Sequence, residues 1–220
     1  MIYLRNSFSR LFIFLMFPYY NAIANDSIIS HIAPPLDFPL AISGNFGDVR
    51  ANSFHFGIDF MTRGKIGWPV YAVGDGYIAR VKVESGGYGR AIYLKHHDGT
   101  MSVYCHLTGY YAELDKYVKE KQYAEKSFYQ DIALAENQFQ VKKCDVIGYS
   151  GNSGQSSGPH LHFEMRDYIS QNLMNGLLAT FPIEDKLPPK FSKLWIYENF
   201  NFIDANGLYK KSYNHLRRLL

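Results

Sequence analysis

Three histidine-containing segments lie far apart in this 220-residue chain. They are His55-Phe56-Gly57-Ile58-Asp59, Tyr104-Cys105-His106-Leu107 and His160-Leu161-His162. Together they offer four imidazoles and one carboxylate, which are ligand types that zinc accepts in proteins. Such a set predicts a fold that gathers these segments around one ion, with three protein ligands and an open position for water. Two histidines then remain for proton transfer.

The first 24 residues have the pattern of an export signal, with Arg5 and Arg10 before an apolar run and Ala22-Ile23-Ala24 as a small-residue cleavage site. A retained membrane anchor is the alternative. A spanning helix needs about 20 apolar residues, and Pro18 ends this run too early. We therefore predict cleavage after Ala24, no stable membrane insertion afterwards, and an exported protein that is periplasmic or secreted.

Charge and loop chemistry exclude two classes of partner. The formal net charge is +3, and loss of Arg5 and Arg10 with the signal reduces it to +1, so no nucleic-acid partner is expected. The glycine-rich loop at 148–158 lacks the Gly-Lys-Ser/Thr ending of a phosphate-binding loop, and a strand follows it. No nucleotide is therefore expected, and the loop is interpreted as a wall of a groove.

The main part of the chain, at 43–185, predicts one mainly β domain. Tyrosine, phenylalanine and glycine are abundant, and short apolar runs alternate with turn residues such as Gly74-Asp75 and His97-Asp98-Gly99. Closely spaced strands and turns of this kind favour an antiparallel sheet. Residues 25–42 are Pro-rich and are expected to form an extended lead-in.

Two regions depart from the strand pattern. Between about 109 and 140, Leu114 and Val118 recur at helical spacing among charged residues, which predicts a helical insertion. Residues 186–220, which include Pro188-Pro189, are predicted to be a C-terminal extension. Its strands are expected at Leu194 to Phe202 and Leu208 to Tyr213, in a β-hairpin around Asn206-Gly207.

The two cysteines do not form a metal-binding pair, because neither belongs to a Cys-x-x-Cys sequence. Strand alternation predicts that Cys105 packs with Met101 and Val103, on the face away from His106. We interpret Cys105 first as a core thiol and second as a disulfide partner of Cys144.

The third histidine segment predicts a strand with two distinct faces. His160, His162 and Glu164 alternate with Leu161, Phe163 and Met165, which are expected to face the core. A His-x-His pair alone is weak evidence for a site, and so is a single His106. The joint occurrence of the three segments is what makes coincidence improbable.

The motifs together resemble the LytM/lysostaphin-type zinc metallo-endopeptidases, over about 44–167. The segments that carry the resemblance are His55-x-x-x-Asp59, Tyr104-Cys105-His106-Leu107, the run from Gly151 to Glu164, and the intervening Gly67-Trp68-Pro69-Val70-Tyr71-Ala72, Gly87-Tyr88-Gly89 and Asp145-Val146-Ile147-Gly148.

The resemblance implies an antiparallel β-sheet sandwich or half-barrel with an open groove. It implies one zinc ion held by His55, Asp59 and His162, with His106 and His160 as catalytic histidines. It also implies hydrolysis of peptide bonds in the stem peptides or cross-links of bacterial peptidoglycan. Which histidine acts as the base stays open, and Glu164 receives no catalytic part.

Two departures from the family pattern affect these expectations. Cys144 stands where glycine is common, which alters a turn, and the insertion after His106 is longer than in compact members. The insertion is expected to border the groove, where it would narrow the choice of substrate or cover the site. The alternative function is a non-catalytic wall-binding relative that activates other hydrolases, and a protein regulator is a further expected partner.

Overall fold

The computed structural model describes residues 32–50, 53–178, 181–183, 196–198 and 201–203. The predicted signal at 1–24 and part of the lead-in lie outside these residues. Contacts within the chain divide it into two compact units, 1–183 and 184–220, and each is described by itself.

The elements follow one another as short strands with one α-helix. In chain order they are β1 (Ile42–Gly44), β2 (Ile58–Met61), β3 (Pro69–Tyr71), β4 (Gly76–Val83), β5 (Arg90–His96), β6 (Thr100–Leu107), β7 (Gly109–Tyr110), α1 (Ala112–Glu125), β8 (Gln130–Ala133), β9 (Gln140–Val141), β10 (Val146–Tyr149), β11 (His160–Asp167), β12 (Leu173–Met174), a 3-10 turn (Gly176–Leu178), β13 (Ile196–Glu198) and β14 (Asn201–Ile203). No helix in the described part of the chain has the length and apolar character that crossing a bilayer requires.

Two sheets form the first unit, and every pairing between their strands is antiparallel. The larger sheet has the order β1-β2-β11-β6-β5-β4-β8, with β12 beside β11 and β9 beside β4, while β3-β10-β7 forms a smaller sheet. The outer strands β1 and β8 do not pair with each other, so the sheet stays open. The predicted mainly antiparallel β fold is confirmed.

The main core lies between the two sheets. Val70 and Ile147 of the small sheet belong to the same buried cluster as Ile92 and Tyr104 of the large one. Leu161, Phe163 and Met165 are part of this cluster as well, as strand alternation predicted. The other face of β11 therefore carries His160, His162 and Glu164 away from the core.

The sequence from Val141 to Tyr149 has the pattern of a sheet segment, and the structure divides it into β9 and β10, which belong to different sheets. Cys144 interrupts it with a left-handed backbone (φ 72°), and its N–H donates to the carbonyl of Ala72 at 2.9 Å. Residues other than glycine have a higher conformational energy in this backbone conformation. The sequence predicts an altered turn at Cys144. The turn is strained, and through it the chain passes from the large sheet to the small one.

The insertion is partly helical, as predicted, and partly strand. Helix α1 buries Leu114 and Val118, and it ends at Lys126, whose φ of 50° is left-handed. The chain then returns as β8, which pairs with β4 at the edge of the large sheet. The sequence does not predict this strand, because four residues are too few for an alternation of polar and apolar side chains to be recognised.

In the second unit, β13 pairs with β14. A hairpin was predicted there, but with its turn at Asn206-Gly207 and one strand running from Leu194 to Phe202. The described pairing joins Glu198 with Asn201, so β13 and β14 both fall largely within the segment that was predicted as a single strand. Asn206-Gly207 lies outside the described residues, and the proposed domain boundaries stay a prediction.

Candidate active site

Neighbouring strands bring the first and third histidine segments together. In the pairing of β2 with β11, His162 lies opposite Asp59, and opposed side chains share one face of a sheet. His55 lies in the loop before β2, where its backbone N–H donates to the carbonyl of Asp48 at 2.8 Å and its carbonyl accepts from Gly47 at 2.8 Å. These bonds hold the loop against the turn that follows β1.

The three predicted metal ligands meet at one point. His55 Nε2 is 3.0 Å from Asp59 Oδ1 and 3.0 Å from His162 Nδ1, and His162 Nδ1 is 2.9 Å from Asp59 Oδ1. All three residues are buried, with at most 8% of their surface exposed. They are also the one group within the described residues whose His, Cys, Asp or Glu atoms lie close enough to hold a metal ion.

The hydrogen bonds on the far side of each imidazole direct lone pairs toward that point. His55 Nδ1 is 2.7 Å from the carbonyl of Asn45, and His162 Nε2 is 2.9 Å from Glu164 Oε1. Both partners are acceptors, so these ring nitrogens carry the protons and donate. The inner nitrogens, His55 Nε2 and His162 Nδ1, then present lone pairs to each other and to the Asp59 carboxylate. A divalent cation between them is the arrangement that such a donor set fits.

The electrostatics of the ligand group favour positive charge at its centre. Burial alone would raise the pKa of Asp59, but the hydrogen bonds and charges of His162 and His55 lower it far below its usual range. Burial alone would lower the pKa of His162, yet Asp59 and Glu164 raise it. A bound cation would replace the proton that this site otherwise attracts.

The second oxygen of Asp59 is held by an arginine at the rim. Arg50 Nη2 donates to Asp59 Oδ2 at 2.9 Å, which leaves Oδ1 directed at the two imidazoles. This approach requires Gly44 in β1, since a Cβ there would lie 2.5 Å from both Arg50 Nη2 and Asp59 Oδ2. A glycine in β1 therefore helps to fix the orientation of the carboxylate.

A β-bulge turns His106 into the same space. Tyr104 pairs with Ile92 and Leu107 pairs with Arg90, so two residues of β6 lie opposite one residue of β5. At this bulge His106 has a left-handed backbone (φ 60°), an unusual conformation for histidine that clusters at functional sites. Its ring lies 4.7 Å from that of His160 and 5.8 Å from that of His162, centre to centre.

The bulge places Cys105 on a different face from the one that regular strand alternation predicts. Its thiol packs with Met101 and Val103 as expected, but Cys105 lies opposite His162 in the pairing of β6 with β11 and so shares its face. The predicted separation of Cys105 and His106 onto opposite faces fails, because regular alternation ends at the bulge. Cys105 is a buried free thiol and Cys144 an exposed one.

His106 and His160 are oriented alike. His106 Nδ1 donates to the carbonyl of Ser153 at 2.8 Å, and His160 Nδ1 donates to the carbonyl of Gly158 at 2.8 Å. The Nε2 atoms are thus left as acceptors, and that of His160 lies 3.6 Å from Asp59 Oδ1. Burial, together with the charges of His160 and His162, lowers the pKa of His106 to about 4, so this ring is neutral at neutral pH.

Glu164 faces away from the core but does not reach the groove as a free carboxylate. It is fully buried and accepts from His162 Nε2, from the Tyr88 hydroxyl at 2.6 Å and from Arg166 Nε at 2.7 Å. Burial would raise the pKa of Glu164, but His162 and Arg166 lower it below its usual range. The carboxylate therefore stays ionised and fixes the position of His162 from behind.

A groove of about 510 Å³ contains these groups. It is lined by Arg50, Ser53, Phe54, His55, Phe56, Asp59, Lys82, Glu84, Gly87, Tyr88, His106, Gln155, Ser156, Ser157, His160 and His162. The glycine-rich loop contributes a wall, as predicted. The sequence does not point to Lys82 and Glu84 as groove residues, because only the position of β4 in the sheet shows that their face borders the groove.

A profile of peptidase family M23 matches residues 53–127 and 126–175, which together cover more than half of the chain and all five predicted site residues. The chain belongs to peptidase family M23. This membership confirms the family that the sequence motifs resembled. It also supports a peptidase with a metal-binding group of the type found at His55, Asp59 and His162.

Curated relatives match the same region. The chain is similar to the DD-carboxypeptidase/endopeptidase Mpg of Neisseria meningitidis (34% identical, 51% of this chain and 20% of that protein). It is also similar to the peptidoglycan DD-endopeptidase ShyA of Vibrio cholerae (28% identical, 71% of this chain and 31% of that protein). Lysostaphin of Staphylococcus simulans is 31% identical over 58% of this chain and 19% of its own length. The matched region thus spans about a fifth to a third of these relatives.

The chain is also similar to two solved structures. The catalytic domain of lysostaphin from Staphylococcus simulans has 25% sequence identity and a TM-score of 0.47, covering 63% of this chain and 90% of that domain. The catalytic domain of the prophage-encoded M23 protein EnpA from Enterococcus faecalis has 24% identity and a TM-score of 0.48, covering 66% of this chain and 95% of that domain.

Proposed function

We propose that this chain is a zinc-dependent endopeptidase that hydrolyses peptide bonds in the stem peptides or cross-links of bacterial peptidoglycan. The observation that carries the proposal is the convergence of His55 Nε2, Asp59 Oδ1 and His162 Nδ1 within 3.0 Å of one another, beside two further histidines in one groove. Export to the periplasm or the exterior is part of the same proposal, since peptidoglycan lies outside the cytoplasmic membrane.

In this proposal His55, Asp59 and His162 hold one zinc ion. Zinc, when bound, supplies Lewis-acid chemistry that activates water and polarises a carbonyl group. The chain's own contribution is orientation. Asn45 and Glu164 fix the two ligand imidazoles through their outer nitrogens, so that both inner lone pairs are available without rearrangement.

His106 and His160 act in proton transfer. Each has its Nδ1 proton committed to a backbone carbonyl, which leaves Nε2 as the acceptor toward the groove. A neutral ring with this orientation accepts a proton from the attacking water, and the resulting imidazolium then donates to the leaving amine. The second histidine stabilises the negative charge that develops on the carbonyl oxygen in its imidazolium form, in which Nε2 also carries a proton and donates.

The alternative is a non-catalytic relative that binds wall peptide and activates other hydrolases. That function would need neither two oriented acceptor histidines nor a left-handed residue at 106 to place one of them. The geometry therefore favours catalysis, and the alternative becomes an outcome of the test.

The test is to incubate the full-length chain with purified peptidoglycan, with and without a chelator, and to identify new peptide termini by mass spectrometry. We expect release of fragments that a chelator abolishes and added zinc restores. His106→Ala and His160→Ala should keep bound zinc but lower turnover by about 10²-fold or more, as expected when a proton-transfer group is removed. His97→Ala, which changes an exposed histidine, is the matched control.

Two results would contradict the proposal. Full turnover by either the His106 or the His160 variant at unchanged zinc content would remove the assignment of that histidine. No release of fragments from any type of wall by the zinc-loaded protein, together with stimulation of a partner hydrolase, would favour the activator.

A further inference from the structure

The groove contains a pair of opposite charges that the proposed reaction does not use. Lys82, in β4, and Glu84, just after it, lie two residues apart and so on one face, and Lys82 Nζ is 2.7 Å from Glu84 Oε2. Both side chains line the groove that contains the five site residues. Each side chain is 21% exposed, so the pair is shielded from bulk water yet accessible from the groove.

Tyr88 connects this pair to the metal ligands. Its backbone N–H donates to Glu84 Oε1 at 3.0 Å, and its ring is stacked on that of His162, with 5.7 Å between centres. Tyr88 therefore contacts both the Glu84 carboxylate and a predicted metal ligand. Three strand spacings separate β11 from β4, or about 14 Å in a flat sheet, which about four residues of extended peptide would span.

The other charged side chains near the groove are paired with the metal ligands or with groups behind them. Arg50 is bound to Asp59, and Arg166 is bound to the buried Glu164. The next pair along β4, formed by Arg80 and Asp131 of the insertion, does not belong to the residues that line the groove. Lys82 and Glu84 are thus the oppositely charged pair within the groove lining that contains no predicted metal ligand.

A pair of this kind selects by charge pattern and not by net charge. A group with only an ammonium would bind Glu84 and compete with Lys82, and a group with only a carboxylate would do the reverse. A group that carries both charges on one carbon offers a partner to each side chain at once, so neither is left without a counter-ion.

We propose that Lys82 and Glu84 form a subsite for a zwitterionic α-amino-carboxylate group, carried on the side chain of a diamino diacid residue within a few residues of the bond that is cut. The proposal rests on the proposed function for the identification of the ligand as a wall peptide. It names the substrate class, namely stem peptides with a diamino diacid in which this group is free.

The test uses three synthetic stem peptides that differ in one side-chain terminus. The first carries the free zwitterion, the second has its side-chain carboxylate converted to an amide, and the third lacks the side-chain amine. Binding of non-cleavable versions to the zinc-loaded full-length chain is measured by titration calorimetry, and kcat/KM is measured with the cleavable versions. We expect the parent protein to prefer the zwitterion over each of the others by about fivefold, the upper range for one partly exposed ion pair.

The variants separate the two charges. Lys82→Met should lose the preference for the zwitterion over the amide, and Glu84→Gln should lose the preference over the peptide without the amine. Glu84→Gln keeps an oxygen that can accept from Tyr88, so the loop is preserved. Lys119→Met, which removes a lysine paired with Asp115 at 2.6 Å on α1, is the matched control and should retain both preferences.

The outcomes distinguish the subsite from the proposed reaction. Cleavage of all three peptides at equal efficiency, or preferences that persist in the Lys82 and Glu84 variants, would overturn the subsite while leaving the peptidase intact. Binding preferences that depend on Lys82 and Glu84 without any cleavage would support the subsite and overturn the reaction.

Discussion

Two buried histidine environments in the first unit differ in what their ring nitrogens contact. His96 has both nitrogens bound to groups of the protein, Nδ1 to the carbonyl of Asp75 at 3.0 Å and Nε2 to the Ser102 hydroxyl at 2.8 Å. In the groove, His55 and His162 have only their outer nitrogens bound in this way, and the inner ones converge on Asp59.

The same residue type is thus structural in one place and predicted to bind a metal in the other. Burial does not distinguish the two environments, since 6% of His96 and 5% of His162 is exposed. The difference lies in whether the polar atoms satisfy one another. Converging lone pairs need a proton or a metal cation between them, whereas a complete chain of donors and acceptors needs no further group.

The largest expected effect comes from removal of a converging nitrogen. We expect His55→Ala to lower zinc affinity by about 10³-fold, because one of three ligands is lost from a site whose binding energy is shared among them. Competition with a chelating dye measures the change, and His97→Ala serves as a surface control. A zinc affinity within tenfold of the parent would show that His55 is not a ligand.

A smaller effect is expected when the group behind a ligand is changed. Glu164→Gln removes the charge that holds His162, and we expect zinc affinity to fall by about 10- to 100-fold. The same change leaves Arg166 without its buried counter-ion, which should lower the free energy of unfolding by about 3 kcal/mol.

A second substitution separates these two effects. Glu164→Gln combined with Arg166→Gln should recover much of the stability in urea unfolding but should not restore zinc affinity. If the double variant regains both, Glu164 matters for folding and not for positioning His162.

The His96 environment predicts a dependence of stability on pH. Burial lowers the pKa of His96 from 6.5, although the carbonyl of Asp75 opposes this, so the unfolded chain binds a proton at a higher pH than the folded one does. Stability contributed by neutral His96 is therefore present above about pH 6.5 and is lost as the pH falls toward the lower folded value.

Unfolding in urea between pH 5 and 8 tests this expectation. His96→Gln removes the titrating ring while keeping an acceptor and a donor, and its stability should fall less steeply below pH 6.5 than that of the parent. Zinc binding at neutral pH should not change. Identical slopes in the two proteins would show that the pKa of His96 is the same in the folded and the unfolded chain.

The smallest expected effect concerns backbone strain outside the groove. Left-handed residues occur at both His106 and Cys144, but only His106 lies in the groove. Cys144→Gly relieves the strain of a side chain at φ 72° while adding freedom to the unfolded chain, so we expect a net stabilisation of about 0.5 kcal/mol. Thermal unfolding measures it, and a clear loss of stability would mean that the Cys144 side chain contributes more than its conformation costs.

The sequence was sufficient for some parts of the molecule and not for others, for physical reasons. The alternation of His160 to Met165 predicted both faces of β11, because a regular strand has a period of two. The same rule failed at Cys105 and His106, where a bulge interrupts the period. A bulge depends on pairing with β5, which residues of β6 alone do not encode.

The limits of the site prediction have a similar origin. The three metal ligands could be predicted because the motifs that contain them resemble those of one family. The contacts that orient them could not, since the approach of Arg50 to Asp59 depends on the close passage of Gly44. The groove position of Lys82 depends on strand order, which no local pattern contains.

The insertion is attached to the large sheet through β8 at its outer edge, beside β4, whereas the predicted ligands depend on β2 and β11 several strands away. Exchanging residues 111–133 for a different helix and edge strand would therefore change the surface beside Lys82 with little disturbance of His55, Asp59 and His162. Because the insertion lies several strands away from the proposed site, its sequence can change the surroundings of the groove without changing the residues proposed to carry out hydrolysis.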